Sequence, residues 1–401
     1  MKKALRTILI IAAMLLAGGR TALLLPGFLY AFHEGGAGYC DGCHDLHRPS
    51  QGNGEGTSEG DNTGPVEYML KGPDPSSTCL ICHAEAGVFY NILSKDGSQY
   101  TPGGDFYWLK KTFTSIVNGT VYMSEGDNHG HNVIAADYGL GEDRVSDPAT
   151  GGAYASYAMG CNSCHNPHGI TSGNANNSRA ISVSGSYGEI SPPGTITGNY
   201  RLLGGTGYDG GKQANAVSFA YPAPVAVANS RNWTETDTNH PAYGSGMSEW
   251  CGNCHNDMLN SSGKHPAGNN ARLSSNIIAN YNAYVRTGNS GGIHAASYLS
   301  LVPFELGTAD KSIPVPSSSS GPGTSGKANV MCLTCHRAHA SAFPFIGRWD
   351  FKVTFMADSH PKSGDGGVTG NDVLNSYYGR NMIAQFGQYQ RQLCNKCHMQ
   401  D

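Results

Sequence analysis

Residues 38–50 read GYCDGCHDLHRPS: Cys40 and Cys43 stand three positions apart, His44 follows at once, and a second histidine, His47, comes three residues later. The Cys-x-x-Cys-His unit recurs at Cys79/Cys82/His83, Cys161/Cys164/His165, Cys251/Cys254/His255, Cys332/Cys335/His336 and Cys394/Cys397/His398, and no cysteine of the twelve is left over. With histidine at 16 of 401 positions, chance would set one behind all six pairs only a few times in a billion (roughly 0.04 to the sixth power), so the unit signals covalent attachment of haem c. Disulfides and paired-cysteine zinc sites are the competing readings, and neither needs an adjacent histidine. On a helical turn, positions i, i+3 and i+4 share one face, so two thioether bonds and an axial imidazole reach one porphyrin. The chain is thus expected to carry six covalently bound haem c groups.

The motifs begin at 40, 79, 161, 251, 332 and 394, about one per sixty residues of mature chain, with no haem-free segment long enough for a separate domain. The spacings are unequal, which excludes a solenoid of fixed repeats. With 55 Gly, 20 Pro and 39% apolar residues, the side chains make a thin core for this length, and something else must fill the interior. Segments such as GEGTSEGDNTG (54–64) and SSSSGPGTSG (317–326) predict loops. The expected fold is mostly irregular, with short α-helices and very few short strands, a multihaem cytochrome c wrapped around a linear haem stack. Helical spacing is best at 271–288, through Leu273, Ile277, Tyr281, Tyr284 and Val285 to Gly288, and at 377–398, running into the last motif. The 21 tyrosines with Trp108, Trp233, Trp250 and Trp349 suit packing on porphyrin faces, although ordinary core packing is as good a reading for any single one.

The start, MKKALRTILIIAAMLLAGG, pairs a basic end with an apolar run shorter than a membrane span. It predicts a signal peptide over 1–31 and a single mature unit over 32–401, with an uncleaved anchor as the alternative. The net charge of −4 comes with scattered Lys and Arg, which leaves no electrostatic footprint for nucleic acid.

Haem iron takes two axial ligands, and the second decides between electron transfer and open-site chemistry. Six histidines are proximal: His44, His83, His165, His255, His336 and His398. Ten remain, His33, His47, His129, His131, His168, His240, His265, His294, His339 and His360, which suffices to close every iron. Methionine competes, but its 11 residues show no recurring placement. His47, His168 and His339 each lie three residues past a proximal histidine; on a helix such a side chain projects to the same side, so it serves the iron of a neighbouring haem. Hydrogen bonding to a propionate or water is the alternative role.

The stretches FHEGGAGYCDGCHDLH, TPGGDFYWLKKTFT, SEGDNHGHNVIAADY, YRLLGGTGY, GMSEWCGNCH, ASYLSLVPFELGTAD, CLTCHRAHA and YQRQLCNKCH, with the six motifs in order, resemble the filament-forming hexahaem cytochromes of metal-reducing bacteria over nearly all of the mature chain. The resemblance implies a continuous stack of bis-histidine haems in a chain that polymerises head to tail into an extracellular filament. Electrons would arrive from upstream outer-membrane or periplasmic cytochromes and leave to external acceptors such as metal oxides. It also implies the distal set His33, His47, His131, His168, His265 and His339, with His47 reaching the His336 haem of the adjacent subunit. His129, His240, His294 and His360 then remain as surface or propionate histidines. A non-polymeric carrier, and a multihaem reductase with one open iron, are the competing functions. No constellation of acid, base and nucleophile stands in the sequence, so no enzyme is expected.

Overall fold

The computed structural model describes residues 42–45, 70–85, 90–143, 147–167, 200–210, 217–228, 234–260, 266–295, 302–310, 312–315 and 318–398. The expected signal peptide, His33, Cys40, His47, His168, Trp233, His265 and the expected loop over 54–64 lie outside them. Among the described residues, regular structure comes in short pieces. Helices are α1 (Pro75–His83), α2 (Cys161–Cys164), α3 (Met247–Cys251), α4 (Asn256–Asn260), α5 (Ser275–Ala283), α6 (Cys332–Cys335), α7 (Asp372–Ser376), α8 (Met382–Phe386) and α9 (Asn395–His398). Strands β1 (Phe113–Val117) and β2 (Thr120–Ser124) form one antiparallel hairpin, and β3 (Val225–Val227) and β4 (Ala242–Ser245) form a second antiparallel pair. None of these helices is long and apolar enough to cross a membrane.

Helices start where the sequence caps them. Asp74 accepts from the Ser77 N–H at 2.7 Å ahead of Pro75 in α1, and Ser274 caps α5. Helix α5 is half the length expected for 271–288. Leu273 is drawn out of it by its N–H bond to the Ala328 carbonyl, and the helix ends at Ala283, five residues before Gly288. Of the expected stripe, Leu273, Tyr281 and Tyr284 are buried while Ile277 and Val285 are half-buried, and Ile278, outside it, faces inward in place of Ile277. The continuous helix expected over 377–398 is instead α8 and α9, separated at Gly387, whose φ of 93° the α-helix does not admit. The apolar interior gathers around Leu80, Trp108, Phe113, Tyr154, Tyr281 and Phe343.

Candidate haem-binding sites

Three of the six Cys-x-x-Cys units lie on helices α1, α2 and α6; α3 ends at Cys251 of a fourth, and α9 begins just past Cys394 of a fifth. Helical geometry therefore presents the sulfurs together, as the spacing predicts. His165 and His336, however, sit just past their helices with extended backbone, φ −100° and −113°. The premise that His339 shares a helix with His336 is thus corrected: the ring leaves its own motif because the chain there is extended, not because two side chains share a helical face.

The attachment turns are joined in pairs. The Ser76 hydroxyl, three residues before Cys79, accepts from the Cys161 N–H at 3.0 Å; the Ser248 hydroxyl, three residues before Cys251, accepts from the Cys332 N–H at 3.0 Å. These joints bring the first cysteines of successive motifs together. A hydrogen bond between Cys79 and Cys161 is the largest influence on both thiols, and the same holds for Cys251 and Cys332. At the intervening junctions the second cysteine of one motif faces the next: Cys43 feels Cys82, Cys164 feels Cys254, and Cys335 feels Cys394 and then Cys397. The six motifs therefore follow one another in space in chain order, alternating in the cysteine they turn toward the next. The described cysteines, Cys43 to Cys397, are free of disulfides.

The histidines divide by what their ring nitrogens do. The Nδ1–H of His165 donates to the Arg201 carbonyl at 2.7 Å, that of His255 to Thr150 at 2.7 Å, that of His336 to Phe345 at 2.8 Å, and that of His131 to Ala338 at 2.7 Å. Each bond fixes the tautomer that leaves Nε2 as a lone-pair donor, the arrangement found around metal-bound imidazoles. Burial pushes His131 down to about 4 and also lowers His165 and His336, so these rings are neutral, the form that binds iron.

Two imidazole pairs have the spacing of axial ligands. The His131 and His255 rings are 6.0 Å apart, and His165 and His339 are 6.3 Å apart. A metal–nitrogen bond of about 2.0 Å on each side of one iron puts ring centres about 6 Å apart. Both distal rings come from one place, since Gly130 pairs with Ala340 across an isolated bridge and the His131 N–H donates to the His339 carbonyl. Phe106 stacks on His339 at 4.8 Å. Gly103 backs the same ring, because a Cβ there would lie 2.9 Å from Nδ1. His339 thus stands beside the proximal histidine of the third motif, two motifs back from its own.

The four excluded histidines fare differently from expectation. His129 is fully buried, not at the surface: Nδ1 donates to the Trp108 carbonyl at 3.1 Å and Nε2 accepts from Ser124 at 2.7 Å, so neither nitrogen faces an iron. His240 is buried too, both nitrogens contacting carbonyl oxygens, of Pro241 and Ser318. His360 pairs with Asp365 at 2.7 Å, and His294 is half-buried. The orienting carbonyls and the two serine joints were missed in the sequence, although the Ser-x-x-Cys that precedes the second and fourth motifs is a readable signal.

No family model matches the chain. The C-type cytochrome OmcS of Geobacter sulfurreducens is 39% identical over 442 aligned positions that span all of both chains. The chain belongs to the OmcS family of c-type cytochromes. Two solved structures, the outer membrane cytochrome S filament and the OmcS nanowires of Geobacter sulfurreducens, superpose with TM-scores of 0.73 and 0.72; each is 37% identical and covers 92% of this chain and all of its own. This OmcS-family fold is therefore the mostly irregular, short-element architecture expected from the loop-rich sequence.

Proposed function

We propose that the chain is a hexahaem electron conduit, exported and polymerised head to tail outside the cell, that carries respiratory electrons to external acceptors. The observation that carries this reading is the pair of facing imidazole couples, His131/His255 and His165/His339, set beside cysteine pairs that adjoin in unbroken order. Bound haem supplies a one-electron iron couple whose potential the surroundings tune. The chain's part is positional. Twelve cysteines tether the rings, His44, His83, His165, His255, His336 and His398 serve as proximal ligands, and His33, His47, His131, His168, His265 and His339 close the opposite faces. Two imidazoles per iron keep coordination constant through redox change, so little rearrangement opposes transfer. Carbonyls of Thr150, Arg201, Ala338 and Phe345 hold the rings in the binding tautomer.

His336 supports the subunit joint. Its Nδ1 is anchored like those of His165 and His255, and Phe351 is its ring neighbour at 5.6 Å, but among the described residues no second imidazole stands opposite it. His47 of the adjacent subunit fills that position. If His339 reaches two motifs back, a His47 that does the same must cross into the preceding subunit. His47→Ala is expected to keep six attached haems by mass spectrometry and to abolish filaments under electron microscopy; long fibres of the variant would overturn the joint.

A further inference from the structure

Between the two cysteines of the last motif stands Lys396, only 2% exposed. Its ammonium donates to the Tyr284 carbonyl at 2.6 Å and lies 4.4 Å from the Tyr281 ring centre and 5.5 Å from that of Tyr284. Tyr284 is the C-cap of α5, so the cation closes the negative end of that helix against two aromatic faces. A carbonyl and π-faces are the partners that an ammonium seeks. The charge is desolvated, and it is two residues from the proximal histidine of the same motif.

We infer that Lys396 is a fixed positive charge that raises the reduction potential of the sixth haem relative to what the motif alone would give. Reduction adds one electron to that iron from the adjoining haem. A buried cation nearby stabilises the reduced state, and the low-dielectric surroundings screen it little. Nothing in this role touches the iron or the porphyrin bonds, so Lys396 acts by position. The inference rests on Cys394, Cys397 and His398 holding a haem.

Spectroelectrochemical titration of the full hexahaem protein tests it. In Lys396→Gln, which keeps a donor for the Tyr284 carbonyl but removes the charge, one component of the six-haem titration is expected to move to lower potential, and Lys396→Arg is expected to restore it. Asn395→Asp, which adds a negative charge one residue from Lys396 within the same motif, is expected to lower the same component and gives an independent route should Lys396→Gln fail to mature. Titrations of Lys396→Gln and Asn395→Asp that both superimpose on the wild type, or an equal shift in Lys396→Arg, would overturn the inference. Five haems by mass in the wild-type protein would instead overturn the haem assignment on which it rests.

Discussion

The histidines differ in the use of their nitrogens. His131, His165, His255 and His336 each anchor one nitrogen to a carbonyl and keep the other as a lone pair, His339 leaves its Nδ1 without a partner, and His129 and His240 spend both nitrogens within the protein. The six motif histidines were legible as candidates because the attachment motif ties them to cysteines. Burial of His129 was not, because it depends on Trp108 and Ser124, which the fold brings to its ring from either side. His339→Ala is expected to leave the third iron open, so carbon monoxide should bind one haem of the reduced variant and none in the wild type; spectra without a ligand-bound species would contradict the pairing. Glu305 makes a second residue-scale case. It is fully buried, accepting from the Met247 N–H at 3.3 Å, and burial, with Glu249 and Cys332 nearby, pushes its carboxyl up to about 8. The folded chain thus holds a proton that the unfolded chain releases near its ordinary carboxylate range. That contribution to stability is present in acid and lost as pH rises from about 4.3 to 8. Thermal unfolding from pH 5 to 9 should fall less steeply in Glu305→Gln than in the wild type, and parallel profiles would refute the assignment.

Elements in this protein are kept short by the groups around them. Helix α5 stops where Tyr284 turns to meet Lys396, and Gly387 separates α8 from α9. Helical periodicity could show the buried stripe of α5 but not those ends, because the competing bonds come from distant segments. The same serine joint links two pairs of attachment turns. Ser76→Ala and Ser248→Ala should each cost about 1 kcal/mol, seen as lower unfolding midpoints; unchanged midpoints would show that solvent replaces the joint. Gly104 is held tighter still, at φ 99° with a Cβ position 1.9 Å from the Ala340 carbonyl oxygen, beside the segment that seats His339. Gly104→Ala should destabilise by about 2 kcal/mol or more.

At the scale of the whole molecule, a glycine-rich chain with, among the described residues, only two-stranded sheets brings the described cysteines of its motifs beside one another. Composition made this architecture legible: where side chains cannot fill the interior, covalent cofactors must. The order in space was not legible, since it arises from the Ser76 and Ser248 bonds and from the Gly130–Ala340 bridge that puts His131 and His339 side by side. A cryo-EM map of the secreted protein tests this most directly. The account predicts a filament with six haems per subunit and continuous density from His47 of one subunit to the iron held by His336 of the preceding one. An isolated monomer, or a fifth iron closed by a residue of its own chain, would contradict it.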